Sequence, residues 1–438
     1  MSERTLLLDE LRWRGLLHQH TETLADALAR STMSGYAGFD PTAASLHVGN
    51  LVPVMGLAHL QRAGHRPVVL VGGGTGMIGD PSGRTTERQL HSAEQVAENT
   101  RSIRNQLARF LDFEGPSAAR LVNNADWLLP LNAITFMRDV GKHFTINYML
   151  AKDSVKSRID AGISYTEFSY MLLQAYDYLE LHRREGVTLQ VGGSDQWGNI
   201  TAGMELIRRT VGADAHALTV PLLMNASGSK FGKSEGGNVW LDPALTSPYR
   251  FYQFWINTDD RDAGRFLRLF TLLSRDEIES LERVAAEHPE RREAQIRLAM
   301  DVTERVHGAD AARTAQDVSA FIFGGLDPAR LSLTALELLR AEAPFTEVND
   351  SDIIGAPAGE ERPDGEPRYD VLKLLTLTGI AASNGAARRL LEQGGVSVNR
   401  RKLGPGERFI DPATALLAGD HIIVAKGKKD YALARVRR

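Results

Sequence analysis

The sequence predicts an α/β protein: a parallel-sheet domain in the first half, then a helical stretch, then a compact basic segment. Three observations carry this. From about Met33 to Val239, short apolar runs end in glycine-rich or polar turns and lead into helix-like stretches, as in "PVVLVGGG", "ARLVNNADW" and "VTLQVGGSDQW". Continuous β-rich runs alternating with helices indicate strands buried on both faces, hence a parallel sheet. From Ser247 to about Gly325 the period changes, and "DEIESLERVAAEH" and "REAQIRLAMDVTERVHG" space their apolar residues as one face of a helix does. Beyond a polar Pro/Gly linker, Gly355 to Arg368, the segment from Val371 to Arg438 holds thirteen Lys and Arg against five Asp and Glu.

The bulk numbers bound the answer further. At 438 residues the chain exceeds one ordinary domain, so two or three are expected. With 43% hydrophobic and 24% charged residues it has the composition of a soluble globular protein. No apolar run approaches the roughly 18 residues of a membrane helix, and the start, "MSERTLLLDELRWRG", lacks a secretory h-region. Cysteine is absent, which excludes disulfides, thiolate metal sites and cysteine nucleophiles and is compatible with the cytosol. The twelve histidines show no HExxH-like spacing, so no structural metal is expected. Net charge is −4, yet the final segment carries +8 and the remainder −12. An acidic body with a basic C-terminal module leaves room for a nucleic-acid partner, although chance clustering gives the same count.

The local motifs come next, in chain order. "YAGFDPTAASLHVGN" runs from an extended "YAGFD" into a helix expected near Leu46. His47 and Asn50 then share its first turn, where free N–H groups favour anions, and Gly49 leaves room for a flat ring or a phosphate. Ordinary capping explains this stretch about as well. "VVLVGGGTGMIGDPSGR" has the Gly74-x-Gly76-x-x-Gly79 form of a dinucleotide fingerprint, but Asp80-Pro81-Ser82-Gly83 is hostile to the helix that should follow, and the NAD reading fails. The glycines read instead as room for a ligand, with Asp80 pointing into the site.

In "ISYTEFSYMLLQAYDYLELHRREG", Ser164 and Glu167 form a capping box, with Ile163 and Phe168 placed as a hydrophobic staple. Tyr170, Gln174 and Asp177 fall on one face of that helix, either toward a site or toward water. "VTLQVGGSDQWGNITAG" puts Asp195 and Gln196 past a strand's C-terminal end, where open α/β sheets bind ligands, or else as caps of a helix from Asn199. "GSKFGKSEGG" sets Lys230 and Lys233 on a loop of small residues, which by itself is also an ordinary solvated turn.

Together these stretches resemble bacterial tyrosyl-tRNA synthetases, class I aminoacyl-tRNA synthetases with a C-terminal S4-like RNA-binding domain, over nearly the whole chain. "LHVGN" is similar to the family's HIGH signature and "KFGKS" to its KMSKS signature, and "GIAASNGAARRLLEQGGVSVN" resembles the S4 module. Asn50 departs from the pattern, standing where the signature has its last histidine; an altered interaction, not a lost function, is expected. The resemblance implies a Rossmann-like catalytic domain over 1–246, an α-helical anticodon-arm domain over 247–350, a linker over 351–370 and a small α+β S4-like domain over 371–438. It implies a ligase that activates L-tyrosine with Mg²⁺-ATP and transfers tyrosyl to tRNA(Tyr), as a cytoplasmic homodimer with no membrane partner. Catalytic roles fall on His47, Asn50, Lys230 and Lys233. ATP would be held by these with Asp40, Thr42, Gly49, Gly193, Asp195, Gln196 and Ser234. Tyr36 and Asp177 would meet the substrate's phenol, and Asp80, Tyr170, Gln174 and Gln196 its amino-acid end. Arg388, Arg389, Arg400, Arg401 and Lys402 would meet RNA backbone. The apolar stretch from Leu131 to Lys152 is the expected dimer interface, unless it is a core helix.

Three other readings compete. A tryptophanyl-tRNA synthetase shares the fold and both signatures but not the Tyr36 and Asp177 pair or the S4-like tail. A retired RNA-binding protein has no use for His47, the lysines, Asp80 or Asp195. A nucleotidylyltransferase leaves the Tyr170, Gln174 and Asp177 face unexplained.

Overall fold

In the computed structural model, residues 6–41, 43–80, 82, 92–152, 155–156, 159, 162–228, 231–234, 237–323, 326–355, 368–427 and 430–437 are described. Six strands make the principal sheet: β1 (Gln19–His20), β2 (Ser34–Phe39), β3 (Arg66–Val71), β4 (Arg120–Asn123), β5 (Val187–Gly193) and β6 (His216–Val220). Their order is β1-β6-β5-β2-β3-β4. Only β1 runs antiparallel, against β6; the rest are parallel. The apolar runs of β3 and β6 are buried almost end to end, as strands with helices on both faces must be. Between β2 and β5 the chain order switches, and in such sheets the crevice beyond the strand ends at that point binds ligands. Register brings Tyr36 opposite Gln190 and Phe39 opposite Val71, so both β2 neighbours help to wall that crevice.

The long helix Tyr165–Glu185 begins as its sequence requires, with the Ser164 side chain accepting the Glu167 N–H at 3.2 Å. It stops at Gly186, in the left-handed conformation that glycine adopts without strain. Two boundaries differ from the sequence expectation. A 3₁₀ turn, Val48–Asn50, precedes the helix Leu51–Arg62, and a second one, Ser194–Gln196, precedes the helix Trp197–Val211. The second lies directly at the exit of β5, and both put polar side chains on a tight turn where a helix start would have spread them.

The chain divides into two compact units, Met1–Ser247 with Phe254–Val306, and Pro248–Gln253 with His307–Arg438. In the first, the helix Asp260–Phe270 buries Ala263, Phe266, Leu267, Leu269 and Phe270 on one stripe. Arg14, itself buried, donates to the carbonyls of Arg268, Thr271 and Leu273 and so satisfies the helix's electronegative end with a cation. In the second unit a five-stranded sheet orders Arg401–Lys402, Val396–Val398, His421–Lys426, Asp430–Arg437 and Phe345–Asn349. The last strand comes from upstream of the linker and pairs parallel with Asp430–Arg437. Helices Val371–Leu377 and Asn384–Glu392 cover the core of this module through Leu374, Leu375, Ala387 and Leu391.

Candidate active site

A cavity of about 420 Å³ opens where β2 and β5 end. Its size suits a small-molecule site. Tyr36, Asp40, His47, Asn50, Asp80, Tyr170, Gln174, Asp177, Gly193 and Gln196, drawn from stretches far apart in sequence, all line it. Gly49 and Asp195 lie on the same two turns, next to wall residues. Thr42 and Lys230 fall outside the described residues, as do the side chains of Lys233 and Ser234. The backbone of Lys233–Ser234 forms a two-residue strand paired with Gly237–Asn238.

The deep end of the cavity is built around Asp177. Its carboxylate accepts from Asn124 Nδ2 at 2.9 Å and from Trp127 Nε1 at 2.7 Å. Asn124 also donates to Thr75 Oγ1. Neither Asn124 nor Trp127 stood out in the sequence, because "NNADW" reads as a strand exit and nothing local links it to a helix fifty residues on. Tyr36 is 1% exposed and its hydroxyl has no hydrogen-bond partner among the described residues; the same holds for the buried Gln190 Oε1. Both residues line the cavity. A buried, unpartnered hydroxyl is costly unless something else pairs with it.

Burial pushes the Asp177 carboxyl from its ordinary 3.8 up to about 8, against the pull of the Asn124 and Trp127 donors. The folded chain therefore holds that proton more tightly than the unfolded chain does. The stability it contributes is intact below about pH 4 and is lost as the pH rises through about 8. We expect the melting temperature of ligand-free wild type to fall relative to Asp177→Asn across that window. A difference that stays flat with pH in thermal melts would overturn the assignment.

Acceptors dominate the middle of the site. Asp40 receives Thr75 Oγ1 at 2.8 Å and Tyr170 Oη at 2.9 Å. Asp80 receives Gln196 Nε2 at 2.8 Å and the Ser82 N–H at 2.9 Å. Asn199 Nδ2 donates to Gln174 Oε1 and to Gln196 Oε1, so one buried asparagine orients both glutamines. Asp80 Oδ1 and Oδ2, Tyr170 Oη and Gln174 Oε1 keep lone pairs, which suits a cationic ammonium.

The outer end is the His47–Asn50 turn. The His47 N–H donates to Asn50 Oδ1 at 3.0 Å and the Gly49 N–H to His47 Nδ1 at 3.1 Å. With its oxygen engaged, the Asn50 amide has its N–H₂ left to offer. Two glycines serve the side chains around them. A Cβ on Gly49 would lie 2.8 Å from His47 Cε1, and one on Gly72 would collide with Asp40. These glycines make room for the site's own side chains. The turn is also tied to the segment after the "KFGKS" loop: Val48 N–H donates to Val239 O, Leu241 N–H to Leu46 O, and the Trp240 ring stands edge-on to His47 at 5.9 Å. The two signature stretches, some 180 residues apart in sequence, are neighbours in space.

In the second unit Arg400, Arg401 and Lys402 lie on one hairpin and Arg388 and Arg389 on the helix Asn384–Glu392; all five are exposed. Asn399 and Arg400 both have positive φ, 45° and 63°, the conformation of a two-residue hairpin turn. Arg401 pairs with Glu407 at 2.7 Å. The Arg400 guanidinium lies 5.7 Å from the centre of the Phe321 ring.

Comparison with known proteins agrees with this architecture. Residues 29–324 match the family model for tRNA synthetases class I (W and Y), and residues 363–434 match that of the tyrosine–tRNA ligase SYY-like C-terminal domain. The chain is 52% identical to a tyrosine–tRNA ligase of Anaeromyxobacter dehalogenans over 98% of its own length and 99% of that protein. It is 51% identical to one from Roseiflexus castenholzii, over 99% and 100%. Among solved structures it resembles a C-terminally truncated Aspergillus nidulans mitochondrial tyrosyl-tRNA synthetase, with a TM-score of 0.64 and 32% identity over 70% of this chain and 92% of that one. A sheet that switches chain order at its ligand crevice, a His47–Asn50 turn tied there to the segment after "KFGKS" and a near-full-length match place the chain among the ATP-dependent class I tRNA synthetases, as a member of the tyrosine–tRNA ligases.

Proposed function

We propose that the cavity between β2 and β5 is where tyrosine is activated, with the residues read from the sequence in the roles given there. The observation that carries this is that Asp177 lines the same cavity as the buried Tyr36 hydroxyl, which has no hydrogen-bond partner among the described residues. A phenol placed there donates its O–H to Asp177 and accepts from Tyr36, satisfying both. Asp80, Tyr170 and Gln174 then receive the ammonium, and Gln196 lies beside them to steer the carboxylate. That carboxylate attacks the α-phosphorus of ATP, forming the mixed anhydride as the bond to pyrophosphate breaks. The terminal adenosine hydroxyl of tRNA(Tyr) next attacks the tyrosyl carbonyl, releasing AMP and leaving an ester.

No protein group is covalently modified, so rate comes from positioning and from donors aimed at developing charge. His47 and the Asn50 amide would hold phosphate from one side, with Lys230, Lys233 and Ser234 reaching in from the other. Asp40, Thr42, Gly49, Gly193 and Asp195 would hold the remainder of ATP. Mg²⁺ is proposed to arrive with the β- and γ-phosphates, as is usual for that ion.

The compartment proposed is the cytoplasm, where translation uses the product; fractionation of the native host tests it. The domains proposed are those read from the sequence: catalytic over 1–246, anticodon-arm over 247–350, linker over 351–370 and S4-like over 371–438. Arg388, Arg389, Arg400, Arg401 and Lys402 would contact RNA phosphates, with affinity falling steeply in salt. A homodimer is proposed through the stretch from Leu131 to Lys152. Ile134 and Ile146 there are 70% and 61% exposed, and Met137 beside them is exposed too, while Val140, Phe144 and Met149 supply the core. Ile134→Glu with Met137→Glu is expected to yield monomers in sedimentation; a stable dimer would rule this face out.

Amino-acid-dependent ATP–pyrophosphate exchange, run with all twenty amino acids and no tRNA, tests the activation step. Exchange with tyrosine alone is expected. Exchange with tryptophan would reassign the pocket, and none at all would remove the activation reading.

A further inference from the structure

One of the two residues between Lys230 and Lys233 anchors this stretch. Phe231 is 5% exposed and its ring sits in an aromatic nest made by two helices that follow the loop. It stacks on Phe270 with centroids 5.0 Å apart and planes at 19°, and meets Phe266 edge-on at 5.0 Å. Phe254 and Trp255 close the nest at 5.6 and 5.9 Å. The same helix, Asp260–Phe270, grips the approach to the loop at two further points. The buried Asp262 carboxylate accepts the Ala226 N–H at 2.7 Å, and Arg265 donates to Met224 O at 3.2 Å. Asp262, Phe266 and Phe270 recur every four residues, so these contacts lie along one stripe of one rigid element.

The next residue faces the other way. Gly232 has φ 88°, and a Cβ there would meet Val48 Cγ2 at 3.2 Å and the Gly49 nitrogen at 3.3 Å. Across two residues the chain is therefore pressed into the helices on one side and onto the His47–Asn50 turn on the other. Aromatic contacts of this geometry are directional as well as apolar, so the nest sets where the backbone lies and not only that it is covered.

We infer that Phe231 is a positioning residue: its seat against Phe266 and Phe270 sets the distance at which the loop's lysines meet substrate phosphate held at the His47–Asn50 turn. This rests on the reading of those lysines as phosphate ligands. It adds that the precision comes from the helix Asp260–Phe270, outside the cavity wall.

The test compares Phe231→Ala, Phe231→Leu and Phe266→Leu with wild type in tyrosine-dependent exchange, with tyrosine affinity measured separately by equilibrium binding. Small misplacement of reacting groups costs about 10²-fold in rate. Phe231→Ala is accordingly expected to lose about 100-fold in kcat with tyrosine affinity within about twofold of wild type. Phe231→Leu should recover most of that loss. Phe266→Leu leaves the loop sequence intact and should show the same split at about tenfold, which keeps the inference testable if Phe231→Ala does not fold. Folded variants that turn over like wild type would overturn it, as would a loss confined to tyrosine affinity. A Lys230→Ala, Lys233→Ala control separates the two readings: if it exchanges normally the phosphate role is wrong, and if it is inactive while Phe231→Ala is not, only the anchor is wrong.

Discussion

Replacing Lys230 and Lys233 together by alanine is expected to lower tyrosine-dependent pyrophosphate exchange by about 10⁴-fold. Removing one preorganised donor from a developing charge costs about 10²–10³-fold, and partners acting as a unit lose less than the product of their single effects. Tyrosine affinity should change less than about threefold, since a contact made only as charge develops on the phosphates leaves ground-state binding alone. Stopped-flow formation of the adenylate with saturating tyrosine and ATP measures the step directly. If the loss appeared in tyrosine binding, with the rate at saturation preserved, the lysines would be ligands of the amino acid and the phosphate assignment would fail.

The second large effect concerns the phenol pair. Asp177→Asn places an amide where Asn124 Nδ2 and Trp127 Nε1 both donate, so one N–H must face another donor whichever way the amide turns. We expect kcat/KM for tyrosine to fall by about 10³-fold, the range for leaving buried polar groups unpaired. Tyr36→Phe should act with opposite signs on two observables. It removes a buried hydroxyl that has no partner among the described residues, so the ligand-free protein should melt higher. It also removes a donor to the substrate, so tyrosine should bind about tenfold more weakly and phenylalanine about as before. Sites of this design reject the analogue lacking the hydroxyl by about 10⁴–10⁵-fold without editing; tyrosyl-tRNA synthetases are the standard example of the effect, and the magnitude is borrowed from them. A Tyr36→Phe protein that kept full discrimination would locate the selectivity elsewhere, with Gln190 the next residue to change.

Much of the site was legible in the sequence because its residues sit at places with local signatures. Tyr36 and Asp40 mark a strand exit, Tyr170, Gln174 and Asp177 mark one helical face behind a Ser164 cap, and His47 and Asn50 mark a helix entry. Each signature obeys a short-range rule of spacing or capping, which a single sequence displays. The polar stripe on Tyr165–Glu185 faces the cavity and not water, an ambiguity that spacing alone left open.

What the sequence could not display were the residues that act on other residues. Asn124, Trp127 and Thr75 hold Asp177 and Asp40, Asn199 orients two glutamines, and Phe266 and Phe270 seat Phe231. The glycines showed the same limit from the other direction, since what Gly49 and Gly72 make room for became evident only when His47 and Asp40 were in place. The chain by itself determined the α/β class, the order of its segments, the signature turns and the chemistry those turns can perform, because strand burial, helix period and capping are written in nearest neighbours. Only the tertiary structure decided which buried polar atoms are paired and which are left for the substrate. That pairing joins residues as far apart as Asn124 and Asp177, 53 positions, or Gln196 and Asp80, 116 positions, where the cost of an unsatisfied group in a dry site, and not any local preference, selects the partner.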